Sequence, residues 1–290
     1  MTHVDEEIAS QPECWTRAVA LAAPSAPVLP RPGERIAVVG CGTSWFMAMC
    51  YAALREAAGQ GETDAFAASE LPTGRKYDRI LAITRSGTTT EILRLLHGTS
   101  IPTTALVGDP TSPAVHAADA SIELPFADER SVVQTRFATS ALTLLRAHLG
   151  EDVGPAIADA HDALAAPLPL DPANIEQVTF LGSGWTVGLG YEAALKCREA
   201  ARLWTETYPA MEYRHGPIAI AAPGRAVWAF GDLPEGLAEQ IGATGATLVP
   251  SNRDPVAQLV LAQRFAVAVA ASRGLDPDRP VHLTRSVVLP

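Results

Sequence analysis

The chain has 290 residues, 48% of them hydrophobic and 19% charged, with a formal net charge of −10. This is a globular profile with room for two domains, and it excludes a disordered chain. The negative balance argues against nucleic acid or an anionic membrane as the main partner, but a small anion can still be held locally by backbone amides.

The opening segment MTHVDEEIAS is acidic and has no apolar run, so it does not read as a secretory signal. Residues 1–33 read as an N-terminal helical segment ending in the turn Pro30-Arg31-Pro32-Gly33. Ile36 to Val39 is a short run rich in β-branched residues. It is followed by Gly40-Cys41-Gly42-Thr43-Ser44 and an Ala- and Met-rich stretch to Ala58, which reads as strand, Gly-rich turn, helix. Further strands are expected at 63–68, 79–83 and 103–107, with helices at 90–97 and from about Val132 to Leu149. Together they make a first domain over 34–150. An Ala- and Asp-rich helix and Pro167-Leu168-Pro169 mark a linker over 151–172.

The pattern then begins again over 173–290. A strand from Gln177 to Leu181 runs into Gly182-Ser183-Gly184, and a helix is expected from about Gly188 to Thr207. Strands at 225–230 and 247–249 and a helix from Val256 to Ala271 complete it. Gly40 and Gly182 occupy equivalent places. The expected fold class is therefore α/β, two tandem copies of a doubly wound, mostly parallel sheet flanked by helices. No uninterrupted apolar stretch reaches membrane-spanning length, so neither a membrane nor a location outside the cytoplasm is expected.

The two copies differ in chemistry. After its third strand the first has Thr84-Arg85-Ser86-Gly87-Thr88-Thr89-Thr90-Glu91, whereas the matching turn of the second is Gly231-Asp232-Leu233-Pro234-Glu235. Hydroxyls, a glycine and an arginine between a buried strand and a helix start suit a phosphate, because the first helical N–H groups are unpaired and the helix dipole favours an anion. Helix capping needs one such hydroxyl, and five within seven positions exceed that need. The carboxylates of the second turn would repel a phosphate. One phosphate site per chain is expected, in the first half.

The turn Gly40-Cys41-Gly42 lacks the third glycine of a dinucleotide fingerprint. The four cysteines show no CxxC spacing and the seven histidines no HExxH-like cluster. No cofactor and no metal are expected. Only Lys76 and Lys196 among the 22 basic residues are lysine, which suggests that these positions need an amine. Lys196 stands four residues after Glu192 and three before Glu199, so the three share one helix face. A partly buried carboxylate beside a cation can serve as a general base. Tyr213-Arg214-His215-Gly216-Pro217 is a polar turn whose histidine can carry a proton.

These motifs, GCGTS, ASE at Ala68 to Glu70, TRSGTTTE, EAALKCRE and RHGP, occur in an order that resembles the isomerase half of glucosamine-6-phosphate synthase and related two-SIS-domain sugar isomerases, including amino-sugar-phosphate deaminases and deglycases. The resemblance runs from Gly33 to the end of the chain. It implies that Thr43 and Ser44 contact the sugar or its phosphate, and that Thr84, Arg85, Ser86 and Thr89 form the phosphate loop. It likewise assigns Val132 and Gln134 to the sugar. Glu199 would move a proton between carbons 1 and 2, supported by Glu192 and Lys196. His215 would open the sugar ring from a neighbouring subunit, which implies a homodimer.

Two departures stand out. The synthase's glutaminase domain has no counterpart, so glutamine is not expected as a nitrogen source. Arg285, in Leu283-Thr284-Arg285-Ser286-Val287, aligns where the synthase has an imine-forming lysine; it is expected among the substrate-binding residues, but a guanidinium cannot form an imine. The expected substrate is thus a phosphorylated amino sugar whose carbon-2 proton Glu199 removes. The favoured outcome is dehydration of N-acetylglucosamine 6-phosphate by loss of its 3-hydroxyl. Deamination or isomerisation of glucosamine 6-phosphate and a non-catalytic phosphosugar sensor are the alternatives.

Overall fold

A computed structural model describes residues 2–289. It resolves into two compact units. The first comprises Ser10–Val153 with the residues from Thr284 on, and the second comprises the residues up to Ala9 with Gly154–Leu283. The N-terminal helical segment is thus divided: α1 (His3–Ala9) belongs to the second unit and α2 (Gln11–Ser25) to the first.

The first unit is built on β1 (Ile36–Gly40), β2 (Thr63–Ala67), β3 (Arg79–Thr84), β4 (Thr103–Val107) and β5 (Ala120–Glu123). They form one parallel sheet in the order β2-β1-β3-β4-β5. All residues of β1 and β4 are buried, as expected for parallel strands covered on both faces, where side chains of either parity meet a helix. The helices are α3 (Thr43–Ala57), α4 (Thr90–Gly98), α5 (Pro113–Ala117) and α6 (Arg136–His148), with α2 against α6. There the buried Trp15 indole donates to Thr139 Oγ1 at 2.9 Å.

In the second unit β6 (Gln177–Gly182), β7 (Trp204–Pro209), β8 (Arg225–Phe230) and β9 (Thr247–Val249) form a parallel sheet in the order β7-β6-β8-β9. Around it lie α7 (Gly154–Ala165), α8 (Thr186–Ala201), α9 (Leu237–Ala243) and α10 (Pro255–Ser272). Backbone N–H groups of His3 and Val4 in α1 donate to the Asp278 carboxylate at 2.7 and 3.0 Å. Among the described residues α10 alone is long and apolar enough by composition to cross a membrane, but 67% of it is buried inside the protein.

The repeat is visible in backbone detail. Gly42 and Gly184 both have φ near 55°. A Cβ on Gly40 would lie 2.4 Å from the Ser44 carbonyl carbon, and one on Gly182 would lie 2.5 Å from that of Thr186. Each first strand therefore runs into its helix through a turn so close that only glycine fits.

Two expected elements need correction. The helix placed from Gly188 to Thr207 is α8 followed by a strand: Arg202 adopts a left-handed φ of 50° and ends the helix. The segment Trp204-Thr205-Glu206-Thr207-Tyr208-Pro209 then pairs with β6. Its aromatic and β-branched content was the available strand signal. The helix expected from Val132 begins instead at Arg136. The buried carboxylate of Glu129 accepts from the Thr135 N–H, from Thr135 Oγ1 at 3.0 Å and from the Arg136 N–H at 2.8 Å, which holds the preceding residues in a loop.

Candidate active site

In each sheet the strand order reverses beside the first strand, between β1 and β3 and between β6 and β8. In open parallel sheets ligands bind at such switch points, beyond the carboxyl ends of the strands. In the first unit the turns that meet there are Gly40–Ser44 and Thr84–Thr90. Thr43, Ser44, Thr84, Arg85 and Ser86 are all buried.

The Thr84–Thr90 loop is tightly organised. Gly87 N–H donates to Thr84 Oγ1 at 3.3 Å, and Ser86 Oγ receives both the Thr88 N–H and the Thr88 hydroxyl. Gly87 has φ 60°, and a Cβ there would sit 1.9 Å from Ser112 Oγ. Thr89 is the residue that precedes α4, yet its side chain makes no capping hydrogen bond. Its hydroxyl is therefore not spent on capping the helix.

Arg85 is 1% exposed, and its charge is turned to structural work. Its two terminal nitrogens donate to the Ser131 carbonyl at 2.7 Å and to the Arg285 carbonyl at 2.6 Å. The C-terminal tail crosses the same loop. Thr88 and Ser286 share a hydroxyl–hydroxyl bond of 2.8 Å, the Thr90 N–H donates to the Val287 carbonyl at 3.1 Å, and the Leu289 N–H donates to Thr90 Oγ1 at 2.8 Å. The Arg285 guanidinium grips both oxygens of Asp128 at 2.7 and 2.8 Å and donates to the Glu129 carbonyl. Arg85 and Arg285 thus strap the tail to the loop. Asp128 and Glu129, which the sequence reading did not single out, organise the segment that carries Val132 and Gln134. The Gln134 amide oxygen is buried with no hydrogen-bond partner among the described residues. A buried acceptor in that condition is unusual and suits a ligand donor.

In the second unit the expected carboxylate–lysine constellation is assembled on α8. Lys196 Nζ lies 2.6 Å from Glu199 Oε2 and 3.4 Å from Glu192 Oε1. The side chains of Lys196 and Glu192 are 1% and 0% exposed, and that of Glu199 is 17% exposed. Of the two carboxylates, Glu199 alone reaches a surface. The buried Lys196 ammonium holds the Glu199 carboxylate in place from behind. Glu199 opens into a cavity of about 380 Å³ whose wall includes Leu195, Arg198, Arg202 and His282. His215 lies elsewhere, exposed after a short 3₁₀ turn, with its N–H on the Glu212 carbonyl at 2.9 Å. Among the described residues no group of histidine, cysteine and carboxylate side chains is arranged to hold a metal.

No protein-family model matches the chain. Over 88% of its length it is 25% identical to the glutamine–fructose-6-phosphate aminotransferase (isomerizing) of Sulfurisphaera tokodaii, of which it covers 50%. The chain thus spans about half the length of the curated relatives it matches. In fold, it superimposes on glucosamine-6-phosphate deaminase from Thermotoga maritima with a TM-score of 0.83 at 24% identity, covering 99% of this chain and 100% of the other. With the C-terminal domain of glucosamine-fructose-6-phosphate aminotransferase from Francisella tularensis the TM-score is 0.80 at 20% identity, covering 97% and 98%. In sequence along most of its length and in fold over nearly all of it, the chain is therefore similar to the two-SIS-domain sugar isomerases.

Proposed function

We propose that the chain is an enzyme acting on a 6-phosphorylated amino sugar, with Glu199 as the base that removes the carbon-2 proton of the open-chain aldose. The observation that carries this reading is the α8 constellation. A buried lysine is held between two carboxylates, and Glu199 is the one of the two that reaches a cavity. Such a carboxylate is oriented and accessible at once. Within the first unit, the hydroxyl loop is the candidate phosphate anchor and Gln134 carries an unsatisfied buried acceptor.

The carbon-2 proton is acidified by the adjacent aldehyde, and its removal leaves an enolate with two fates. Reprotonation at carbon 1 of a 2-amino sugar gives a ketimine, which water hydrolyses to the ketose and ammonia. The names of the relatives, an isomerizing aminotransferase and a deaminase, favour this isomerisation or deamination of glucosamine 6-phosphate. The other fate is loss of the 3-hydroxyl from N-acetylglucosamine 6-phosphate. Arg285, which is bound to Asp128 and has no amine for imine chemistry, is compatible with either fate. A homodimer in which His215 of one copy serves the other copy belongs to the same proposal, and the exposure of His215 supports it.

The test is NMR in deuterated water with each sugar phosphate in turn. Deuterium entering carbon 2, abolished by Glu199→Gln, is the expected result. Fructose 6-phosphate and ammonia would identify the deaminase, and an alkene signal from the acetylated sugar would identify the dehydratase. Binding without exchange would overturn the enzymatic reading and leave a phosphosugar-binding protein.

A further inference from the structure

Among the described residues two that are not glycine have positive φ: Arg202 at 50° and His282 at 66°. Both line the cavity into which Glu199 opens. Left-handed backbone is unfavourable for side chains with a Cβ, and residues held there gather at sites where the side chain's direction matters. Arg202 has its conformation from closing α8. His282 has no such helix to end. It belongs to the irregular segment after α10, and its turn directs the chain along the wall that carries Glu199.

The charged groups around this ring are Arg198, Glu199 and Arg202, all from the end of α8, with Lys196 behind Glu199. Arg198 is already committed to Thr205 Oγ1 at 2.9 Å. His282 is thus the one imidazole lining the cavity, and an imidazole can hand over a proton as an acid. His215 is not among the residues lining this cavity.

We infer that His282 is a second catalytic residue, the proton donor to oxygen 1 of the open-chain sugar. The inference rests on the proposed carbon-2 chemistry and deepens it. When Glu199 takes the proton from carbon 2, the C–H electron pair forms a double bond between carbons 1 and 2. The carbonyl pair moves to oxygen 1, where negative charge develops. The imidazolium of His282 gives its N–H proton to that oxygen, leaving a neutral enol. Glu199 has gained a proton and His282 has lost one, so the enzyme's total is unchanged. Returning the Glu199 proton to carbon 1, with one nitrogen proton passing back to His282, completes an isomerisation. In an elimination the 3-hydroxyl leaves as water with the Glu199 proton, while oxygen 1 returns its proton to His282 and the aldehyde re-forms. Either fate begins with the same neutralised oxygen, so the role is independent of which product forms.

The informative variant is His282→Asn, since asparagine tolerates the left-handed backbone and cannot donate a proton as an acid. His282→Gly serves as a second backbone-compatible variant. Both should bind glucosamine 6-phosphate with unchanged affinity by calorimetry, and both should exchange the carbon-2 proton about 10²-fold more slowly than the parent. A readout that needs no turnover is carbethoxylation of His282 by diethyl pyrocarbonate, followed by mass spectrometry. Glucosamine 6-phosphate should protect this residue. If the variants exchange at the parental rate, or if bound sugar leaves His282 fully reactive, this inference is overturned while the role of Glu199 stands. If the parent binds neither sugar phosphate, the proposed function fails and this inference fails with it.

Discussion

The turn after β3 and the turn after β8 occupy the same topological place, each at the switch point of a parallel sheet, and yet they do opposite things. Thr84–Thr90 presents hydroxyls around a left-handed Gly87 and leaves the Thr89 side chain out of the helix cap. The turn that follows β8 begins with Gly231 at φ 85° and reaches α9 through Gly236 at φ 74°. It is closed by Arg214, which donates to the Glu235 carbonyl and, at 2.8 Å, to Gln240 Oε1. Thr186 Oγ1 also donates to the Phe230 carbonyl at 2.7 Å, tying the first turn of that sheet to the end of β8. One sheet end carries the hydroxyl-rich turn proposed to hold the phosphate, and the other is closed by hydrogen bonds of its own side chains. A duplicated backbone therefore offers two possible sites, and side chains decide which remains one.

Four perturbations break or sharpen this contrast. The largest effect is expected from Glu199→Gln, which should slow carbon-2 exchange about 10³-fold with phosphosugar binding retained. Isotope exchange and calorimetry separate the two quantities. Next is Lys196→Met. It strands the Glu192 carboxylate in the core and should cost about 3 kcal/mol of stability in denaturant unfolding. A full recovery in the double variant with Glu192→Leu would show that the loss came from the stranded charge rather than from packing.

Third is Thr89→Asp, which carries the character of the second turn into the first. Aspartate is a favourable residue at a helix start, so thermal stability should hold or rise. Its charge should weaken binding of a sugar phosphate about 10²-fold by like-charge repulsion. Equal binding by parent and variant would mean that the loop does not hold the phosphate. The smallest effect concerns Cys41, where the second copy has Ser183. Burial, with help from the nearby Glu91 charge, pushes the Cys41 thiol up to about 11. The thiolate is the reactive form, so labelling at pH 8 should be slow and should climb through the alkaline range. Glu91→Gln should speed it a few-fold, because removing the nearby negative charge makes the thiolate easier to form.

Much of the hydroxyl-rich loop was legible because its pattern is local. Gly87 and the hydroxyls around it are consecutive, and a strand on one side with a helix on the other can be read from periodicity alone. The α8 constellation was legible for the same reason, since spacings of three and four on a helix bring Glu192, Lys196 and Glu199 together wherever that helix packs. The misread elements failed through non-local effects. The end of α8 is set by a backbone reversal at Arg202 and by pairing of Trp204–Pro209 with β6. The start of α6 is set by Glu129, whose carboxylate acts six and seven residues away.

By itself, then, the sequence determined an α/β fold made of a repeated strand–glycine turn–helix unit, a single hydroxyl-rich turn, and a helix face with two carboxylates around a lysine. These follow from nearest-neighbour sterics and helical geometry, which need no distant partner. Only the tertiary structure decided which charges are spent. Arg85 binds carbonyls at Ser131 and Arg285, Arg285 grips Asp128, and the tail beyond it lies along the loop, at sequence separations of up to 200 residues. It also placed His282 on the wall of the Glu199 cavity. Contacts of that range depend on how the chain closes on itself, and no local pattern of residues encodes them.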